Sequence, residues 1–347
     1  MRNAMIGWDI GGAHVKAAVM NDRGELTVVR QKPCPLWQGL DKLRFAVKTI
    51  MDELPSVRYR HAVTMTGELV DLFAGRDDGV ETIIATLSAL LPDGELLIYA
   101  GKLGFIPVSQ VRQKHYAAIA SANWLASASY AAQHVCSGLF IDIGSTTTDI
   151  LLLDPGRVSA EGYSDYERLA TQELIYTGVI RTAVMAVAES VEDQGRDVGL
   201  MAEYFATMAD VYRLTGELNE VHDQADTADG AEKTVCASAR RLSRMIGCDF
   251  DIAELPRWQR MAENLRARQL QRIQRGCEKQ LARVSHAKSI PFIGAGVGRF
   301  LVRQLAESIG HPHLDFTGLF PAILPANGML AADCAPAAAV ASLCLRE

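Results

Sequence analysis

Twice in this chain an aspartate ends an apolar run and is followed at once by small residues, with the same spacing each time. Asp9-Ile10-Gly11-Gly12-Ala13-His14-Val15-Lys16 aligns with Asp142-Ile143-Gly144-Ser145-Thr146-Thr147-Thr148-Asp149, 133 residues later. The flanking apolar runs (6–19 and 139–152) are too short for helices and are punctuated by glycine, so each reads as strand, tight turn, strand. That pattern suits a phosphate-and-metal site. Glycine lets backbone N–H groups approach an anion, and a carboxylate is a hard oxygen ligand of the kind Mg2+ takes. Asp9 and Asp142 are thus the metal candidates and candidate catalytic carboxylates. Gly11, Gly12, Gly144 and Ser145 are the expected backbone donors. The plainer alternative is that each aspartate accepts N–H groups of its own turn.

Around these turns stand further candidates. Lys16 could neutralise phosphate oxygens as a point charge or be an outward-facing strand lysine. His14 shares its face by strand alternation and reads as structural. The hydroxyls of Ser145 and Thr146 are the phosphate contacts nearest the second turn, and Asp149 is a candidate reacting carboxylate. Arg181 is a candidate anion ligand, with a structural ion pair as its alternative. Gly294-Ala295-Gly296-Val297-Gly298 follows a strand and opens a helix, a backbone suited to adenosine or to an anion; Gly294 and Gly296 are its binding candidates. In 222–230 three carboxylates, Asp223, Asp226 and Asp229, recur at i, i+3 and i+6. If helical they share a face, and their mutual repulsion invites a metal cation. Otherwise the segment is an acidic loop capping the helix that follows.

The elements that must carry these residues alternate between strands and helices, an α/β pattern. A three-strand meander (5–19, 26–32) is followed by a helix at 40–53, a strand at 61–66, a helix at 80–91 and a strand at 96–99. One long Ala- and Ser-rich helix is expected over 112–133. After the second hairpin, helices dominate about 200–284, then a strand (289–294) and helices at 299–309 and 335–345. Repeated hairpins at lobe-sized spacing predict two lobes facing a central cleft: 1–137, with the C-terminal segment 331–347 packing back on it, and 138–330.

The totals narrow the class. At 347 residues, 49% of them hydrophobic and 22% charged, the chain has the makings of two globular lobes. A net charge of −6 argues against nucleic acid as a partner, so the basic run 257–283 reads as a solvated helix face. No apolar run approaches a membrane span, and no signal-peptide pattern is visible. Seven scattered cysteines without a C-x-x-C pair point to a reducing cytoplasm. A homo-oligomer is left open.

The two Asp-Gly hairpins and the late Gly-x-Gly resemble the phosphate and adenosine motifs of the acetate/sugar kinase, Hsp70 and actin superfamily. The resemblance implies a two-lobed, ribonuclease H-like fold. More closely, 7–17, 64–69 (TMTGEL), 121–126 (SANWLA), 140–150 (FIDIGSTTTDI), 176–182 (YTGVIRT) and 226–230 (DTADG) resemble the hydantoinase/oxoprolinase-related group tied to tetrahydromethanopterin-linked one-carbon transfer. That resemblance implies a transferase of methanofuran-type cofactor biosynthesis. Such an enzyme joins an aminomethyl-furan-methyl diphosphate to a tyramine-derived phenol and releases pyrophosphate, with Mg2+ at Asp9 and Asp142. His14 departs from the small polar residue expected after that turn, which leaves the acceptor open. The alternative within the superfamily is an ATP-dependent small-molecule kinase.

Overall fold

The computed structural model describes residues 4–285, 289–321 and 328–346. In chain order, β1 (Ala4–Ile10), β2 (His14–Met20) and β3 (Leu26–Pro33) form the expected meander, followed by α1 (Leu40–Asp52), β4 (Tyr59–Met65), α2 (Arg76–Leu90), β5 (Glu95–Tyr99) and β6 (Phe105–Pro107). The sheet order is β3-β2-β1-β4-β5-β6, with β4 parallel to both β1 and β5. Met5, Ile6, Trp8 and Ile10 of β1 are all buried, as near-continuous apolar strands covered on both faces must be.

The single helix expected over 112–133 is broken. A 3-10 turn at Gln113–His115 leads into the short α3 (Tyr116–Ile119), and α4 (Asn123–Ala132) starts anew after Ser121, whose φ is +52°.

Next come β7 (Gly138–Ile143), β8 (Thr148–Asp154), β9 (Arg157–Val158), α5 (Asp165–Thr171) and β10 (Leu174–Ile175). A small ladder of β11 (Ser190–Asp193) and β12 (Arg196–Gly199) precedes α6 (Met208–Leu214), α7 (Val235–Arg244) and α8 (Leu255–Leu281). The chain closes with β13 (Phe292–Ala295), α9 (Arg299–Ile309), β14 (His313–Asp315) and α10 (Ala335–Arg346). The second sheet runs β10-β8-β7-β13-β14, with β9 beside β8.

The basic run lies on α8, whose Trp258, Met261, Ala262, Leu265 and Ile273 form a buried stripe at helical spacing. Its arginines are tied down locally: Arg257 pairs with Asp193 and Arg266 with Glu217. No helix among the described residues is long and apolar enough to cross a membrane.

The chain falls into two compact units. The first comprises Met1–Phe140, Leu151–Asp165 and Leu314–Glu347, and the second Ile141–Ile150 and Tyr166–His313. A division at 137/138 therefore misses that 151–165 belongs with the first unit. In that unit α10 packs against β1, β2, β4 and α4. The approach is close because Gly7 has no side chain: a Cβ there would overlap the Ala337 carbonyl and lie 2.8 Å from the Ala341 methyl.

Candidate functional site

Both hairpins close with the same bond. The Gly11 N–H donates to the His14 carbonyl at 2.9 Å, and the Gly144 N–H donates to the Thr147 carbonyl at 2.9 Å. This corrects one expectation, since the amides of Gly11 and Gly144 are used by their own turns. The next two amides of each turn, those of Gly12 and Ala13 and of Ser145 and Thr146, have no partner among the described residues. Those four N–H groups are the ones the two turns leave for an acceptor, one position on from the expected set.

In the first unit Asp9 is buried, with Lys16 directly opposite it on β2 and the Lys16 ammonium 3.9 Å from Asp9 Oδ2. Lys16 therefore faces Asp9. On the other side Thr64 of β4 sits in register with Asp9, its hydroxyl buried and without a hydrogen-bond partner. The Asn123 carboxamide, on the first residue of α4, donates to Asp9 Oδ1 at 3.4 Å. His14 is buried on the same hairpin. The turn Thr66-Gly67-Glu68 is laid along the hairpin: the Thr66 N–H donates to the Ile10 carbonyl at 2.9 Å, and a Cβ on Gly67 would stand 3.1 Å from that same oxygen.

Glu68 is fully buried and accepts from the Ser121 hydroxyl at 2.7 Å, while its second oxygen has no partner. Burial pushes its carboxyl above the usual range, against the pull of the Ser121 bond. The Ser121 hydroxyl also lies 3.4 Å from Asp165 Oδ2, which Arg76 holds at 2.6 Å. Thr64, Glu68, Ser121 and Asn123 were not singled out by residue-type reasoning. Their signal was their place inside the TMTGEL and SANWLA segments.

In the second unit the segment Tyr176-Thr177-Gly178 clasps the other turn in a comparable way. The Ser145 carbonyl accepts from the N–H groups of Ile180 and Arg181 at 3.1 and 2.9 Å, and a Cβ on Gly178 would overlap the Thr146 amide. Gln269 of α8 reaches in to donate to Thr177 Oγ1 at 2.7 Å and to the Gly178 carbonyl at 2.9 Å. Arg181 lies 3.5 Å from Thr146 Oγ1, at the edge of hydrogen-bond range, and the Ser145 hydroxyl is buried with no partner. The glycine turn before α9 meets Asp142 directly. Gly296 has φ +81°, and a Cβ there would overlap Asp142 Oδ1; the Gly298 N–H donates to the Ile143 carbonyl at 2.8 Å. Gly294 is spaced away from Asp142, with a Cβ there 3.0 Å from His313 Nε2.

Two expectations give way to ion pairs. Asp149, expected as a reacting carboxylate, is held at 2.5 Å by the buried Arg168, which neutralises it in place. Asp223, Asp226 and Asp229 do not share a helical face, because 223–230 is not helical. Asp223 is instead bound by Arg213 at 2.6 Å and Lys233 at 3.3 Å, and Asp229 by Arg241 at 3.0 Å and Arg244 at 3.2 Å. Asp226 is exposed. The repulsion that suggested a metal is relieved by arginines from α6 and α7. No group of three His, Cys, Asp or Glu side chains placed for one metal occurs among the described residues. Mg2+ needs no such cage, since it is commonly held by one or two carboxylates with phosphate oxygens and water. Asp9 in the first unit and Asp142 in the second are each a single carboxylate of that kind.

A meander continued by parallel strands, with a hairpin of identical closure in each unit, is the actin/Hsp70/sugar-kinase class of α/β fold. The nucleotide-free structure of acetone carboxylase shares it, with a TM-score of 0.53 and 10% identity over 90% of this chain and 68% of that one. Within that class the chain belongs to the hydantoinase/oxoprolinase family, whose family model matches residues 60–338. Among its relatives is the (4-{4-[2-(gamma-L-glutamylamino)ethyl]phenoxymethyl}furan-2-yl)methanamine synthase of Methanocaldococcus jannaschii. The two are 31% identical over 255 residues, 73% of this chain and 74% of the relative. The synthase of the same name from Methanococcus vannielii is 30% identical over 113 residues, 33% of this chain and 50% of that one.

Proposed function

We propose that this protein is a biosynthetic transferase that forms an ether between an aminomethyl-furan-methyl diphosphate and a tyramine-derived phenol. The observation that carries the reading is the match to the archaeal synthase across 73% of the chain. The geometry supports it chemically. Each hairpin offers two unengaged amides beside a carboxylate, which suits a diphosphate better than a neutral ligand.

In the reaction the bond from the furan-methyl carbon to the diphosphate oxygen breaks, and its electron pair leaves on pyrophosphate. The phenol oxygen forms the new carbon–oxygen bond, and its proton passes to water. In the first unit the amides of Gly12 and Ala13 are the donors for diphosphate oxygens, with Lys16 as the nearby positive charge; in the second unit the amides of Ser145 and Thr146, with Arg181 near Thr146, offer the same chemistry. Asp9 in the first unit and Asp142 in the second are the residues that would hold Mg2+, which neutralises the charge of a departing diphosphate.

A second reading, a small-molecule kinase, is favoured by one observation: the Gly296 turn lies against Asp142 at the head of α9, a backbone fit for a nucleotide. One experiment separates the two. The purified protein is incubated with Mg2+, the furan-methyl diphosphate and a tyramine-type phenol, and in parallel with Mg-ATP and the same phenol. An ether product in the mass spectrum with stoichiometric pyrophosphate supports the transferase. ADP without ether transfers the argument to the kinase, and neither product rejects both.

A further inference from the structure

Ser121 breaks a run of helix-favouring residues with no glycine or proline to explain the break. Three non-glycine residues have positive φ among the described residues, and of these Ser121 is buried while Gln172 and Gln194 are exposed. A buried left-handed serine persists only where its surroundings over-determine it. Here the determinant is distant in sequence. The Ser121 hydroxyl donates to Glu68 Oε1 at 2.7 Å, 53 residues away, and reaches Asp165 Oδ2 at 3.4 Å. Both acceptors are themselves fixed. The Glu68 backbone is pressed against Gly79 of α2, where a Cβ would overlap it, and Asp165 is held by Arg76 at 2.6 Å.

Two residues beyond the break, Asn123 begins α4 and places its carboxamide on Asp9 Oδ1. The direction of α4, and so the position of Asn123, follows from where the preceding helix is stopped.

We propose that Glu68 and Ser121 are positioning residues for Asp9: they hold the helix break that sets the Asn123 carboxamide on the Asp9 carboxylate and fixes its orientation for the ligand. The inference rests on the reading of Asp9 as a ligand-binding carboxylate. It gives the Ser121 hydroxyl a task that alanine cannot perform, namely stopping one helix and starting the next at a set angle.

The chain has six asparagines, so side-chain amide spectra of protein labelled with 15N at asparagine are sparse, and Asn123→Ala identifies the relevant resonance. Glu68→Ala and Ser121→Ala are expected to move the Asn123 resonance and to weaken Mg-pyrophosphate binding about ten-fold. Glu68→Gln, which restores an oxygen acceptor for the serine, is expected to return both toward wild type. The double variant Ser121→Ala/Asn123→Ala should bind no more weakly than Asn123→Ala alone, because both act through one contact. An Asn123 resonance unmoved in Ser121→Ala, or full additivity in the double variant, overturns the proposal. If Glu68→Ala does not fold, Ser121→Ala and Glu68→Gln carry the test. Failure of the wild-type protein to make ether sinks the transferase reading by itself, since the resonance measurement needs no turnover.

Discussion

Lys16 stands directly across the β1–β2 ladder from Asp9, its ammonium 3.9 Å from Asp9 Oδ2. A cation at that distance from a buried carboxylate does two things. It lowers the cost of burying the aspartate, and it keeps a positive charge beside the unengaged amides of Gly12 and Ala13. Replacing Lys16 with Gln is expected to weaken binding of Mg-pyrophosphate about ten-fold, equivalent to about 1.4 kcal/mol. Lys16→Arg should lose less, keeping the charge but not its compact shape. Isothermal titration of the three proteins checks this; equal affinities would remove Lys16 from the site.

A second prediction concerns pH. His61 is buried, and its Nδ1 accepts the indole N–H of Trp8 at 3.1 Å. Burial lowers its pKa from 6.5 to about 4, because an imidazolium there is poorly solvated and cannot accept that bond. The folded state therefore prefers the neutral ring. Its stability contribution is complete above pH 6.5 and is lost as pH falls toward 4, on the order of 3 kcal/mol in all. Urea unfolding between pH 7 and 4 should show this loss, and His61→Gln should flatten it.

A third prediction tests the ion pairs of the second unit. Arg213 is buried and bound to Asp223 at 2.6 Å, and Asp223→Ala removes that charged bond while leaving Arg213 to Glu220 at 2.8 Å and Asp210 at 3.7 Å. The expected cost is about 2 kcal/mol of stability. The Mg2+ concentration for half-maximal activity, measured below the unfolding transition, should stay where it is. A shift in that concentration with unchanged stability would return Asp223 to the metal site.

The meander was legible in sequence because its cues are local: alternation of apolar runs with Asp-Gly turns fixes strands whatever the rest of the chain does. The break at Ser121 was not, because 112–133 is rich in alanine with no glycine or proline to mark a stop, and the partner of Ser121, Glu68, lies 53 positions away. The same holds for the acidic segment. Its spacing matched a helical face, but the partners that decide its shape, Arg213, Arg241 and Arg244, come from helices whose arrangement no local pattern encodes. The use of the Gly11 and Gly144 amides was hidden too, since the glycine that permits each turn is also the residue whose amide closes it.

A fourth prediction follows from the contact of β1 with α10. Gly7→Ala puts a methyl where the Ala337 carbonyl already lies, and β1 and α10 must move apart. A loss of about 2 kcal/mol or more is expected, read as a lower urea midpoint. An unchanged midpoint would mean that the helix shifts freely on the sheet.

That contact also sets an order of events during synthesis. Strand β1 is covered by α10, so one face of β1 stays bare until residues 335–346 have been translated. The second unit ends at His313, ahead of α10 in the chain. Until α10 is made the apolar strand Ala4–Ile10 presents a face open to wrong partners.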